Sequence, residues 1–115
     1  MPYTFEGTSL EIGTEPQLQD GTLWVPLRSL GSALGGNVDW DPDNRVAILY
    51  LGGHIATVKI DDATVDVDGN LTTLRAAPYL SEGETWVPVR LFSEALGYNL
   101  NVDPGNKQVD LTSPV

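Results

Sequence analysis

An α+β fold is predicted, with antiparallel strands and hairpins curled around two short helices, and three observations predict it. The stretch Trp24-Val25-Pro26-Leu27-Arg28-Ser29-Leu30-Gly31-Ser32-Ala33-Leu34-Gly35 returns as Trp86-Val87-Pro88-Val89-Arg90-Leu91-Phe92-Ser93-Glu94-Ala95-Leu96-Gly97, an offset of 62 residues, and self-similarity at a fixed spacing is the signature of a repeated unit. In both copies the apolar period changes just after the proline, from the alternation of a strand to the spacing of one helical face. Most of the remaining chain consists of short alternating runs separated by turns rich in Gly, Asp and Asn. A chain of 115 residues is long enough to bury roughly two thirds of its unfolded surface in one small core. The expectation is therefore a single domain, residues 1–115, made of two repeats of about 3–60 and 65–113.

In chain order, Tyr3, Phe5, Leu10 and Ile12 flank Glu6-Gly7-Thr8-Ser9 and form a hairpin pattern. Pro16 lacks a ladder donor, so Glu15-Pro16-Gln17-Leu18 suits a sheet edge or a crossover, and Gln19-Asp20-Gly21 turns the chain. Leu23, Val25 and Leu27 then share one face of a strand, with Trp24, Pro26 and Arg28 on the other. A helix is expected near residues 27–35, with Leu27, Leu30 and Leu34 on one face and Gly35-Gly36 as its left-handed stop. Gly31 weakens that helix by about 1 kcal/mol relative to Ala, unless close backbone contact requires it. Val38-Asp39-Trp40 and Arg45 to Leu51 bracket the tight turn Asp41-Pro42-Asp43-Asn44. His54 to Ile60 and Ala63 to Val67 read as strands joined by Asp61-Asp62, and Asp68-Gly69-Asn70 turns the chain again.

The repeat extends beyond the helix. Pro16 aligns with Pro78, Leu18 with Leu80, Gly21 with Gly83, Asn37 with Asn99, Asp41-Pro42 with Asp103-Pro104, and Asn44 with Asn106. The second helix, near residues 89–97, reads as the better of the two, because Ser93-Glu94 replaces Gly31-Ser32. Val109 and Leu111 close the last strand, and Thr112-Ser113-Pro114-Val115 looks like a linker. Leu27, Leu30, Leu34, Val87, Val89, Phe92 and Leu96 are expected to form one shared core, since each half alone is too small to bury its own faces.

Composition narrows function. Lys plus Arg number 6 against 16 Asp plus Glu, for a net charge of −10, which repels phosphate backbones and anionic lipid, so no nucleic-acid partner is expected. No apolar run approaches the roughly 20 residues of a membrane span, and Met1-Pro2-Tyr3-Thr4-Phe5 lacks a basic-then-apolar leader, so no membrane insertion is expected. With no Cys, cysteine pairing says nothing about the redox compartment.

Gly83-Glu84-Thr85-Trp86-Val87-Pro88-Val89-Arg90, the helix from Phe92 to Gly97 and the following Asp-Pro turn, all present in both copies, resemble the copper amine oxidase N-terminal domain-like family. The resemblance covers nearly the whole chain. It implies an antiparallel sheet curled around helices, as in the non-catalytic stalk domain of some copper amine oxidases. It further implies a bacterial, secreted or cell-envelope setting, in a tandem module often found beside cell-wall hydrolase or surface-anchoring domains. Two departures stand out: Gly31 interrupts the first helix, and Trp24 and Trp86 are bulkier than the Leu, Tyr or Met common in that slot. The resemblance supplies no catalytic or ligand motif to carry over.

Neither cofactor nor metal is expected. One His, His54, and no Cys fall short of the several imidazole or sulfur ligands of a copper site. Asp39, Asp41 and Asp43 alternate as in a calcium loop, but Asn44 and Tyr50 stand where such a loop needs Gly and Glu, and Asp66 to Asn70 is equally incomplete, leaving only adventitious calcium binding. A lone His serves no convincing triad, no phosphate-cradling loop is present, and the many carboxylates are undirected, so the chain is not expected to be an enzyme.

The candidate binding residues are Trp24, Arg28, Trp86 and Arg90. In the structural reading each Trp packs over its helix and each Arg bonds loop carbonyls or an acid such as Asp41 or Asp103. In the functional readings the indoles are carbohydrate platforms or protein-contact anchors. The function expected is a non-catalytic extracellular or cell-envelope stalk or attachment module contacting cell-wall polysaccharide or a surface protein. The alternative is a carbohydrate-binding module using Trp24 and Trp86.

Overall fold

The computed structural model describes residues 3–113 and is mainly β, with several antiparallel sheets and short helical segments. The strands are β1 (Tyr3–Phe5), β2 (Thr8–Ser9), β3 (Gln17–Gln19), β4 (Thr22–Pro26), β5 (Asn37–Asp41), β6 (Val46–Leu51), β7 (His54–Lys59), β8 (Thr64–Val67), β9 (Asn70–Thr73), β10 (Tyr79–Ser81), β11 (Glu84–Pro88), β12 (Asn99–Asp103) and β13 (Gln108–Thr112). A helix, α1 (Leu27–Ala33), follows β4, a π-helical turn (Leu91–Ala95) follows β11, and a 3₁₀ turn (Pro104–Asn106) joins β12 to β13.

Local chemistry accounts for most of the hairpins. Glu6-Gly7, Asp20-Gly21, Gly52-Gly53, Asp68-Gly69 and Glu82-Gly83 each link two strands and have positive φ at both residues, the mirror-image turn that matches the twist of the flanking strands. In the Asp-Pro turns the carboxylate closes the loop itself: Asp41 accepts from the backbone N–H groups of Asp43 and Asn44 and from the Asn44 amide, and Asp103 bonds Asn106 in the same way. Arg45 and Lys107, which follow these turns, both take positive φ, at 54° and 53°.

Three sheets result, ordered β12-β13-β1-β2, β10-β11-β4-β3 and β5-β6-β7-β8-β9. In the second, the two Trp-Val-Pro strands pair antiparallel and reciprocally, Trp86 opposite Pro26, Val87 opposite Val25 and Pro88 opposite Trp24. The expected edge segment is β3, at the rim of that sheet. One pair departs from the antiparallel expectation: β1 lies parallel to β13, with Tyr3 opposite Val109. The hydrogen bond from the Thr4 hydroxyl to Asp110, at 2.6 Å, fastens this pair, as does the Glu6 N–H bonded to the Leu111 carbonyl. Parallel pairing joins the two chain ends across a long separation, which short-range patterning does not reveal.

Leu23, Val25, Leu27, Leu30, Val87, Val89, Phe92 and Leu96 lie in one core with Leu49, Leu91, Val109 and Leu111, and Leu34 packs against it half-buried. The shared core expected from the sequence is therefore present. Thr112 belongs to β13 rather than to a linker, while Pro114 and Val115 lie outside the described residues.

The helical segments need correction. The first ends as expected, with Gly35 at φ 97°, its N–H bonded to Ser32 and the Gly36 N–H bonded to Gly31, the paired closing bonds of a left-handed helix stop. Gly31 is buried, and a Cβ there would fall 2.7 Å from Leu49 Cδ1, so any larger residue needs the end of that buried side chain on β6 to shift. The second segment, expected as the better helix over residues 89–97, is only the π turn Leu91–Ala95. There the Leu96 N–H reaches Leu91, and Gly97 and Tyr98 bond Ser93 and Phe92, each one residue further back than the matching bonds of the first segment. Intrinsic helix propensity is a weak prior that packing overrides.

Candidate functional site

The sheet β10-β11-β4-β3 positions all four sequence-selected residues. Trp24 and Trp86 point away from the aliphatic core, and both are buried, at 6% and 7% exposure. They pack with Tyr79 from β10, which meets Trp24 edge-on at 5.0 Å and stacks on Trp86 at 6.4 Å between centroids, while each faces the other strand's proline. Tyr79 is itself held by the amide of Gln19, at 2.8 Å. The rings thus pack on the sheet face opposite the aliphatic core, rather than over their helices, and Trp86 and Tyr79 also border a groove of about 480 Å³ with Thr14, Gln17, Ser81, Glu82 and Glu84. The sequence could not show this, because what covers them comes from a third strand.

Arg28 and Arg90 are exposed, and among the described residues neither makes an ion pair. The partners expected for them, Asp41 and Asp103, are occupied by Asn44 and Asn106. The Asn44 amide, followed by the turn's N–H groups, holds the Asp41 carboxyl below its ordinary range.

Each arginine borders a cleft where a Trp-Val-Pro strand, the opposing hairpin turn and the next sheet meet. The first cleft, about 170 Å³, is lined by Arg28, Val38, Trp40, Ala47, Leu80, Gly83, Glu84 and Thr85. The second, about 70 Å³, is lined by Gly21, Thr22, Leu23, Arg75, Pro88, Val89, Arg90, Val102 and Pro104. At the 62-residue offset Arg28 corresponds to Arg90 and Gly83 to Gly21, but Trp40 corresponds to Val102, Glu84 to Thr22 and Thr85 to Leu23. The first cleft therefore holds an indole, a carboxylate and a hydroxyl where the second holds a valine, a threonine and a leucine.

In that first cleft Trp40 is half-buried on β5, and Leu80 forms an exposed lip. Glu84 accepts a hydrogen bond from the Ser29 hydroxyl at 3.2 Å, and no ion pair joins it to Arg28. Thr85, on the core side of β11, is 9% exposed and has no side-chain hydrogen bond among the described residues. Among the described residues no fully buried side-chain polar atom lacks a partner, so its hydroxyl is not sealed from solvent, and Thr85 lines the cleft. Trp40, Glu84 and Thr85 were missed by the sequence reading; the signal that could have found them is their mismatch with the other copy.

The residues do not fit a copper site. His54 Nδ1 lies 2.5 Å from Asp68, and among the described residues no group of three His, Cys, Asp or Glu side chains could hold a metal. The His54 hydrogen bond, with a second from the Ile55 N–H, pulls the Asp68 carboxyl down. Burial raises the Tyr3 phenol, with Glu15 and Glu84 adding to the effect, and its hydroxyl donates to the Thr14 carbonyl. No described helix is long and apolar enough to cross a membrane.

These features define a mainly-β domain in which paired Trp-Val-Pro strands carry a core on one face and an aromatic cluster on the other. The chain belongs to the copper amine oxidase N-terminal domain family, whose model matches residues 4–111. It is also similar to a protease inhibitor of Brevibacillus choshinensis, 32% identical over 81 residues; the match covers 70% of this chain and 25% of that protein. The chain thus corresponds to about a quarter of that relative's length.

Proposed function

We propose that this domain is a non-catalytic accessory module, built by duplication of one strand–helix–hairpin unit, that serves outside the cytoplasm as a stalk or attachment element contacting cell-wall polysaccharide or a surface protein. Membership of the copper amine oxidase N-terminal domain family, across residues 4–111, carries this reading. The duplication is supported by the reciprocal pairing of β4 with β11 and by positive-φ residues that recur at the same offset, Glu6 with Asp68, Asp20 with Glu82 and Arg45 with Lys107. A non-catalytic role is supported by the chemistry present: the one imidazole is engaged with Asp68, and the carboxylates of Asp41 and Asp103 are engaged in closing turns. Inhibition of a protease belongs to the relative's name, and three quarters of that relative lies outside the match.

The test joins two assays. The domain is sedimented with purified bacterial cell walls and with cellulose and xylan, and it is assayed for peroxide release from amines with and without added copper. Saturable co-sedimentation without peroxide is the expected result. Copper-dependent amine oxidation would overturn the non-catalytic reading, and failure to sediment with any of these walls or glycans would overturn wall attachment.

A further inference from the structure

We propose that the Trp40 cleft binds a neutral pyranose unit of a glycan, one per chain, with the indole as its apolar wall and Arg28, Glu84 and Thr85 as its polar partners. This deepens the attachment reading and rests on it for the setting in which glycan is met; its residues are not the Trp24 and Trp86 of the sequence reading. A sugar ring presents an apolar C–H face and a rim of hydroxyls, each both donor and acceptor. Trp40 suits the face. Around the rim the guanidinium only donates, the carboxylate only accepts, and the threonine hydroxyl does both. Arg28 and Glu84 border the same cleft without an ion pair between them, so the guanidinium and the Glu84 oxygen not bonded to Ser29 remain available to such a ligand.

Other ligand classes fit less well. The net charge of −10 and Glu84 disfavour anions, and Arg28 disfavours cations. A purely apolar ligand would strip water from the charged pair and the Thr85 hydroxyl without replacing their hydrogen bonds. The second cleft is an internal control. It keeps Arg90 but has Val102, Thr22 and Leu23 at the corresponding positions and is less than half the size, about 70 against 170 Å³, so a single site is expected despite the repeated sequence.

The full domain is titrated calorimetrically with cellohexaose, xylohexaose and chitohexaose, with tryptophan fluorescence recorded alongside. Saturable heat for at least one sugar is expected, with one site per chain and Kd below about 1 mM. Trp40→Ala and Glu84→Gln should each weaken binding at least tenfold at unchanged cooperativity of melting. Because Trp40→Ala removes a half-buried ring, Trp40→Phe is the companion variant: it should keep much of the affinity and lose the fluorescence change, since neither Trp24 nor Trp86 lines this cleft. Absence of binding to all three sugars at about 10 mM, a stoichiometry of two, or affinity unaltered in folded Glu84→Gln overturns the proposal. Co-sedimentation with cell walls that persists when none of the sugars binds would reject the cleft and leave attachment standing; loss of both would reject both.

Discussion

After β4 the chain enters a seven-residue α-helix with Gly31 against Leu49, whereas after β11, at the matching place in the repeated sequence, it enters a five-residue π turn with Ser93 where the glycine stood. Both segments begin after a Trp-Val-Pro strand and end on a positive-φ glycine, Gly35 or Gly97. What differs is how near the turn comes to the strand behind it. At Gly31 an added carbon would fall 2.7 Å from Leu49 Cδ1 and would have to displace that side-chain end; the second segment does carry a side chain there, Ser93, which is half-buried and bonds the Arg90 carbonyl. The better helix former is thus found in the looser turn, because tertiary approach outweighs propensity differences of under about 1 kcal/mol per residue.

Separating the halves is the harshest way to probe this comparison. A fragment ending after Ile60 leaves β1 without β13 and β4 without β11, and it is expected to be unfolded or aggregating. A soluble fragment with a cooperative thermal melt would show that one half suffices.

Next come the aromatic substitutions. Trp24→Ala and Trp86→Ala should each cost about 3 to 5 kcal/mol in denaturant titration, as for buried aromatic rings. A loss under about 0.5 kcal/mol would mean that the rings are surface groups. Tyr79 sits beside Trp86 where the first copy has Gln17 beside Trp24, so Tyr79→Gln makes the two sides alike and should lower stability by exposing both indoles, visible as a red shift of tryptophan emission.

The turns themselves can be exchanged. Gly31→Ser should destabilise by about 1 to 3 kcal/mol through overpacking against Leu49, and a smaller side chain in Leu49→Ala should make the added serine less costly, measurable as coupling in a double-mutant cycle. Ser93→Gly should change stability by less than about 1 kcal/mol, the ordinary backbone cost of glycine within a helical segment. If Gly31→Ser were neutral, close approach would not be the reason for the glycine.

Acid should bring the smallest change. Asp41, Asp68 and Asp110 are held below the ordinary carboxylate range, Asp110 chiefly by the Thr4 hydroxyl and then by Gln108. Their folded values lie below their unfolded ones, so the unfolded chain binds more protons in the window beneath about pH 4. Their contribution is complete above that window and is lost as pH falls through the folded values. Asp68 is exposed and Asp41 and Asp110 are half-buried near the surface, so solvent screens all three; melting temperature should decline gently there, and Asp110→Asn should flatten part of the decline.

Much of this architecture was legible in the residues themselves. Turn chemistry such as Asp20-Gly21 and Asp41-Pro42, the alternation of Leu23, Val25 and Leu27, and the change of period after each proline are local signals, and each acts through backbone sterics or side-chain direction within a few residues. The repeat and the family resemblance rest on the same local pattern.

Only the tertiary structure decided which surfaces face each other. Burial of Trp24 and Trp86 depends on Tyr79 and on the crossed prolines; the parallel seam of β1 and β13 joins opposite ends of the chain; and the Trp40 cleft gathers Arg28, Trp40, Glu84 and Thr85 from three separate stretches. Contacts between distant residues leave no periodic trace in either partner, because each element can satisfy its own hydrogen bonds and alternation whichever neighbour it meets. Local sequence therefore set the strands and turns of this domain, and packing chose their neighbours, the wide second turn and the cleft in which an indole, two opposite charges and a hydroxyl meet.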